Sequence, residues 1–326
     1  MNREDLLRHC NPDAVYGTRR VAITEGRGSG QRLIEVKTLG GLRASFMEDK
    51  CLDILDLEYK GVNLAFLSKN GITDVRHTEG DGFLNYWAGG FLGTCGLRNT
   101  GEPCTHNGEY FPFHGRIGLT PAEHINVKTD YENIIISGIT RETALFGYRL
   151  EMERTITIPT HGAKIIVRDE VRNLTPETEF IFLLYHINFG YPFLDAGLQT
   201  KFPDGEVQGR TPDAQKLIDT RADFTSAVDG DNESVFFYFA KEERPRVWLY
   251  NPKLRFGAAI EYERSQFPVL SEWKCMRSGD YALGIEPTTS EIRGRAEEIE
   301  NGYDVKIAPF GTLEYGFTLS IEEEEK

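Results

Sequence analysis

No window of the 326-residue sequence approaches the roughly 18 consecutive apolar residues of a membrane-spanning helix, so no membrane partner is expected. The opening Met1-Asn-Arg-Glu-Asp-Leu-Leu-Arg-His-Cys10 lacks the apolar core of a secretory signal, which makes the cytoplasm the expected location. Cysteine is scarce: Cys10, Cys51, Cys95, Cys104 and Cys275 are odd in number and irregular in spacing, which argues against a disulfide framework and for reduced thiols. Basic residues are outnumbered 51 to 37, giving a formal charge of −14, and no basic stretch is dense enough to track a phosphate backbone; nucleic acid is therefore not an expected partner. The acidic run Glu322 to Glu325 reads as a solvated end. There is no fixed-period repeat, no low-complexity stretch and no Pro/Gly/Ser linker, so residues 1–326 are read as a single domain.

Aromatic and β-branched residues are abundant, with 20 Phe and 14 Tyr, and this composition suits strands. From Tyr148 to Ile158 the sequence alternates with a period of two. Tyr148, Leu150, Met152, Ile156 and Ile158 share one side, and Arg149, Glu151, Glu153, Thr155 and Thr157 the other, as in a half-buried strand. The turn Pro159-Thr-His-Gly162 leads to a second alternating run, Lys164 to Arg172, which completes a hairpin. Similar runs at Arg32 to Thr38, Leu42 to Met47, Leu52 to Tyr59, Ile125 to Thr129, Ile134 to Ile139, Ser234 to Phe239, Arg246 to Tyr250 and Thr312 to Ile321 predict an all-β protein, a large sandwich or barrel. Only Glu4 to Cys10 and Asp213 to Asp219 have a helical pattern.

Candidate chemistry concentrates in three places. The stretch Gly89 to Pro103 is too rich in glycine for an ordinary strand, and it leads through Tyr110-Phe-Pro-Phe to His114-Gly-Arg-Ile-Gly118. It is not a phosphate loop, because the Gly-x-x-x-x-Gly-Lys-Ser/Thr spacing and a surrounding βα unit are both missing. Cys95, Cys104, His106 and His114 fall in the same stretch without the Cys-x-x-Cys spacing of a zinc site, so no metal is expected. A Gly-x-Ser-x-Gly nucleophile is also absent.

The run Phe180 to Phe189 is apolar on both faces and places His186 inside the protein, where an imidazole is either a core residue or a catalyst. The following Asn188-Phe-Gly-Tyr-Pro192 has the character of a cleft lip. In Tyr281-Ala-Leu-Gly-Ile-Glu-Pro287 the alternation puts Glu286 on one face with Ala282 and Gly284, which leaves room beside the carboxylate for a ligand; the alternative is a surface Glu ending a strand. Trp273 and Lys274 just upstream, with Trp87 and Arg98, offer aromatic platforms and cationic donors of the kind that hold a pyranose.

The segments Met47-Glu-Asp-Lys-Cys-Leu-Asp-Ile54, Gly90-Phe-Leu-Gly-Thr-Cys-Gly-Leu-Arg-Asn-Thr-Gly101, Phe113-His-Gly-Arg-Ile117, Leu184-Tyr-His-Ile-Asn-Phe-Gly-Tyr-Pro192 and Glu272-Trp-Lys through Leu283-Gly-Ile-Glu-Pro287 resemble, in order, the DUF4432 branch of the aldose 1-epimerase superfamily. The resemblance spans roughly residues 15 to 320. It implies a galactose mutarotase-like β-supersandwich that binds a monosaccharide in a cleft on one sheet and interconverts its anomers without a cofactor. Carried over residue by residue, it implies that His186 is the acid that protonates the ring oxygen, Glu286 the base on the anomeric hydroxyl, and His114 a second histidine beside the ring. Arg98, Arg116 and Lys274 are implied donors to substrate hydroxyls or to an acidic or phosphorylated substituent; Trp273, Trp87 and Asn188 join them as candidate sugar contacts. Lys50 and Asp53 belong to a signature turn whose role the resemblance leaves open, and Asp53 is counted among the candidate sugar contacts. True galactose mutarotases carry a His-x-Tyr-Phe-Asn-like run, where this chain has His186-Ile-Asn-Phe-Gly190, and Pro-Thr-Thr follows Glu286 in place of Thr-Gln. These departures leave the sugar unspecified.

Ring opening needs one group to take the O1 proton and another to deliver a proton to the ring oxygen, and histidine is the side chain able to carry that proton near neutral pH. Two alternatives share these residues: a non-catalytic sugar-binding protein, and an isomerase or epimerase acting at another carbon.

Overall fold

The computed structural model describes residues 2–74 and 82–323. It is 49% strand and 10% helix, as the alternating sequence predicts. Three antiparallel sheets carry most of the chain. A five-stranded sheet runs in sequence order from Gly17–Ala22 to Val62–Asn63. An eight-stranded sheet has the order Gln199–Lys201, Arg246–Asn251, Phe256–Tyr262, Thr312–Glu323, Lys164–Asn173, Arg149–Pro159, Asn133–Thr143 and Glu123–Thr129. A six-stranded sheet has the order Gly205–Gly209, Ser234–Ala240, Val269–Arg277, Asp280–Thr288, Leu184–Gly190 and Leu92–Cys95.

The three sheets share one core, to which Phe46, Ile54, Ile156, Val167, Tyr185, Ile187, Leu249, Leu283 and Phe317 all contribute. The opposite face of the six-stranded sheet carries a second apolar cluster of Cys95, Leu184, Val235, Phe237, Val269 and Ile292. This sheet is thus covered on both faces, which is why every residue of Leu184–Gly190 is buried and its sequence shows no polar alternation.

The hairpin Arg149–Pro159 and Lys164–Asn173 forms in the expected register, with Arg154 directly opposite Asp169. Both point into the core beside Ile156 and Val167, a pairing that explains how two charges fit on apolar faces. Arg154 binds Asp169 through Nε at 2.9 Å and Nη2 at 2.7 Å, and binds Asp53 through Nη1 at 2.8 Å. Tyr185 donates to Asp169 at 2.8 Å, and the Thr94 hydroxyl links to Asp53. All the charges of this buried network are therefore paired.

The two expected helices are present as Arg3–His9 and Pro212–Lys216, each with a side-chain N-cap, Asn2 and Thr211. A third, Arg295–Glu300, escapes a periodicity reading because it is under two turns long and buries the charged residues Arg295 and Glu298.

Candidate active site

The ladder of the six-stranded sheet sets out the candidate residues in rows. Gly93 pairs with His186, Ile187 with Ile285, and Ser271 with Glu286. Gly93, His186, Glu286 and Ser271 therefore stand side by side on one face across four strands. In the next row Asn188 pairs with Gly284, and Gly284 with Trp273. The space beside Glu286 depends on Gly284: a Cβ there would overlap Glu286 Oε1 and lie 3.0 Å from Trp273 Cβ.

His186 Nδ1 is 2.5 Å from Asn188 Oδ1 and 3.2 Å from Glu286 Oε1. Asn188 Nδ2 donates to the carbonyls of Gly90 and His186, at 3.0 and 2.9 Å, which leaves Oδ1 as the acceptor. Nδ1 therefore carries the proton and Nε2 is the free nitrogen of the neutral ring, an assignment made from the hydrogen-bond network. Asn188 is completely buried and holds the imidazole; it has no surface for a sugar. Glu286 is 1% exposed, and its Oε1 has no hydrogen-bond partner among the described residues. The Ser271 hydroxyl beside it likewise meets no partner at full hydrogen-bond geometry, though it lies near enough to the carboxyl to favour the charged form.

Aromatic rings enclose this face. Trp87 lies 5.0 Å from the His186 ring and 5.8 Å from Trp273, and Trp273 lies 5.4 Å from His186. Phe83 stacks on Trp87 at 5.4 Å and contacts His114 at 5.1 Å, and Phe66 touches both tryptophans. His114 is half-buried, 5.8 Å from the His186 ring. Its Nδ1 accepts from Gly101 N at 3.2 Å, which places the proton of the neutral ring on Nε2. The His114 backbone is left-handed, with φ 57°, and the glycine-rich segment approaches it closely: Gly96 N donates to its carbonyl at 3.0 Å.

Burial governs the charges. It pushes the Glu286 carboxyl up to about 8, with Ser271 opposing, Glu233 adding and Arg210 opposing. It pushes His186 down to about 4 against the bond to Asn188, and holds His114 well below the usual histidine range, helped by His186 and Arg210. The expected imidazolium and carboxylate are thus replaced, in the free site, by a neutral imidazole and a protonated Glu286. Both descriptions contain the same number of protons.

Of the ten residues singled out in sequence, the structure brings together His186, Glu286, His114, Trp87, Trp273 and, as a buried support, Asn188. The other four are engaged by protein partners. Arg98 is bound by Glu179 at 2.7 Å and by Glu109, and lies 3.6 Å over the Tyr148 ring. Arg116 donates to the Tyr110 carbonyl at 2.9 Å. Lys274 alternates with Trp273 and so faces away from Glu286; its ammonium donates to the carbonyls of Arg221 and Asp223 at 2.8 and 2.6 Å. Asp53 lines a recess beside Trp87 and His114, but its carboxyl is taken by Arg154 and Thr94. Residues that sequence reasoning missed are Phe83 and Phe66, Ser271 in the row beside Glu286, Arg210, and Glu233, which accepts from Trp273 Nε1 at 2.7 Å. Ser271 was accessible to alternation, since it shares parity with Trp273; the others depend on loop geometry. Cys95, Cys104, His106 and His114 do not converge: among the described residues no three His, Cys, Asp or Glu side chains form a metal-binding group.

No curated protein matches the sequence. Solved structures do match. A candidate aldose 1-epimerase from Klebsiella pneumoniae superposes with a TM-score of 0.87 at 20% identity, over 94% of this chain and 84% of that one. A galactose mutarotase-like protein from Clostridium acetobutylicum gives 0.70 at 16%, over 95% and 99%. The galactose 1-epimerase of Lactobacillus acidophilus NCFM gives 0.65 at 11%, over 95% and 100%. These likenesses establish the galactose mutarotase-like fold. Residues 28–321 match the family described as a domain of unknown function, DUF4432, and the chain is a member of that family.

Proposed function

We propose that this protein is an isomerase of the aldose 1-epimerase type, which interconverts the anomers of a monosaccharide by acid–base ring opening. The reading is carried by one observation: a buried His186–Glu286 pair, with an orphaned carboxyl oxygen, under a shell of tryptophan and phenylalanine rings. Indole faces suit the apolar side of a pyranose, and an unpartnered carboxyl oxygen suits a hydroxyl.

The chemistry needs one proton that can be given and one site that can take it. His186 serves the ring oxygen and Glu286 the anomeric hydroxyl, and each reverses its role between opening and closure. In one direction the proton is removed from O1 as another reaches O5 and the C1–O5 bond breaks; rotation about C1–C2 and reclosure give the other anomer. In the free site the transferable proton rests on Glu286, which sets the pair for ring closure, with Glu286 protonating O1 as His186 Nε2 takes the O5 proton; opening requires that this proton first pass to His186 Nε2, leaving the Glu286 carboxylate to take the O1 proton. His114, with Nε2–H available, donates to the ring side of the sugar. Each positioned transfer contributes on the order of 10²- to 10⁴-fold.

The test is NMR exchange between α and β anomers across neutral, acidic and phosphorylated sugars, with native protein, Glu286→Gln and His186→Asn. Acceleration of one sugar by native protein, reduced by more than about 100-fold in each folded variant, is the expected result. Binding without acceleration would leave a sugar-binding protein; full activity in either variant would remove that residue from the mechanism.

A further inference from the structure

We propose that Lys50 is a specificity residue of this site, and that it receives an anionic substituent of the sugar, of about carboxylate size. The inference rests on the aldose reading and names the substrate class within it.

Lys50 is only 5% exposed, yet no hydrogen bond or ion pair reaches its ammonium among the described residues. The side chain is buried while its ammonium carries no protein partner, and a cation so placed is favoured by an anion in the space it faces. It lines a recess of about 40 Å³ with Asp53, Phe83, Trp87, Cys95 and His114, so it opens onto the same space as the Trp87–Phe83–His114 part of the aromatic shell. A volume of that size holds roughly three water-sized groups, enough for a carboxylate and too little for a sugar ring. Burial lowers the pKa of Lys50, while the charges of Asp53 and Asp74 oppose that change. Asp53 does not replace a ligand, because its carboxyl is held by Arg154 and Thr94.

The turn that presents Lys50 is built at a cost. Cys51 and Leu52 are both left-handed, with φ 38° and 59°, a conformation that a leucine rarely adopts. Asp53 N closes the turn on the Lys50 carbonyl at 2.8 Å, Cys51 N bonds the Thr120 carbonyl at 2.9 Å, and Arg154 Nη1 bonds the Cys51 carbonyl at 3.1 Å. Strain held this firmly at the edge of a candidate site points to a role for the residue it positions. The other basic candidates are committed to protein partners, Arg98 to Glu179 and Glu109, Lys274 to backbone carbonyls and Arg210 to Glu102.

The experiment compares anomer exchange of glucuronate, galacturonate and glucose 6-phosphate with that of glucose and galactose, in native protein, Lys50→Met and Lys50→Arg. Thermal melting establishes that each variant is folded, and Lys50→Arg keeps the charge should Lys50→Met fail to fold. The expected result is a native preference for an anionic sugar. Its kcat/KM relative to the neutral sugar falls by about 10- to 100-fold in Lys50→Met and is largely kept in Lys50→Arg. Which anion depends on Lys50 distinguishes carboxylate from phosphate. A native preference for neutral sugars, or an anion preference unchanged in Lys50→Met, overturns the proposal and leaves the isomerase reading intact. If no sugar is accelerated, the isomerase reading fails, and calorimetric binding of glucuronate decides for Lys50: affinity lost in Lys50→Met supports it, and equal or absent binding overturns it.

Discussion

His186 Nδ1 and Glu286 Oε1 stand 3.2 Å apart without a hydrogen bond between them, because the imidazole proton is donated to Asn188 at 2.5 Å. At that distance a sugar bound against both would connect them. Burial holds each in its neutral form, so the ordinary pKa order of the two groups is reversed and the one transferable proton rests on Glu286.

This inversion predicts a bell-shaped pH dependence of kcat/KM. Above about 8 the free site loses the Glu286 proton and has no acid; below about 4 His186 gains one and there is no base. The limbs belong to the pair, and each reports a macroscopic step. Activity that rises through pH 8 would mean that Glu286 works as a pre-formed carboxylate.

Asn188 acts through His186, as a positioning residue. Asn188→Ala removes the acceptor that fixes the Nδ1–H tautomer and that raises the imidazole pKa against burial. The expected loss in kcat/KM is about 10- to 100-fold, comparable to other supports of a functional histidine. A purely structural role would lower the amount of folded enzyme and leave the acidic limb in place. The positioning role moves that limb to lower pH, and ¹⁵N shifts of the ring would register both tautomers.

Strand-level structure was legible in the sequence because alternation survives wherever one face is wet. Arg149–Pro159, half-exposed on one face, differs from the expected bounds by one residue at each end, whereas Asp280–Thr288 is buried on both faces and there parity alone sets Glu286 with Gly284. The same logic, applied to Lys274, would have turned it away from the site, since it follows Trp273 by one residue. Arg98 could not be placed this way. Its partners Glu109 and Glu179 are brought to it by tertiary folding, and nothing local in Gly96-Leu97-Arg98 records them. The aromatic shell was half legible for the same reason: Trp87 and Trp273 were singled out, whereas Phe66 and Phe83 reach the site from loops whose course no period encodes.

Asp53 was a candidate sugar contact, and its position makes a different prediction. Arg154→Met leaves Asp53 and Asp169 buried without their common cation, so the expected destabilisation is about 3–5 kcal/mol. Denaturant unfolding measures it. A loss below about 1 kcal/mol would mean that water enters the network or that the carboxyls take up protons at little cost.

The buried carboxyls also set how stability responds to pH. Glu142 and Glu272 are pushed up to about 7 and Glu286 to about 8, in each case chiefly by burial. An unfolded chain loses these protons near 4.5, so over the interval above that value the folded state binds more protons and stability falls as pH rises. His186 and His114 act in the opposite sense, but only below their unfolded value of 6.5. Between pH 6.5 and 8 the carboxyls therefore decide the sign, and the melting temperature should fall. The decline is steepest below 7, where all three contribute, and from 7 to 8 it rests mainly on Glu286 among them, at about 1.4 kcal/mol per pH unit for a fully protonated group. Glu286→Gln should flatten that upper interval specifically. A melting temperature in the native protein that is constant from pH 6.5 to 8 would mean that Glu286 is already ionised, and with it the neutral ground state of the His186–Glu286 pair would be lost.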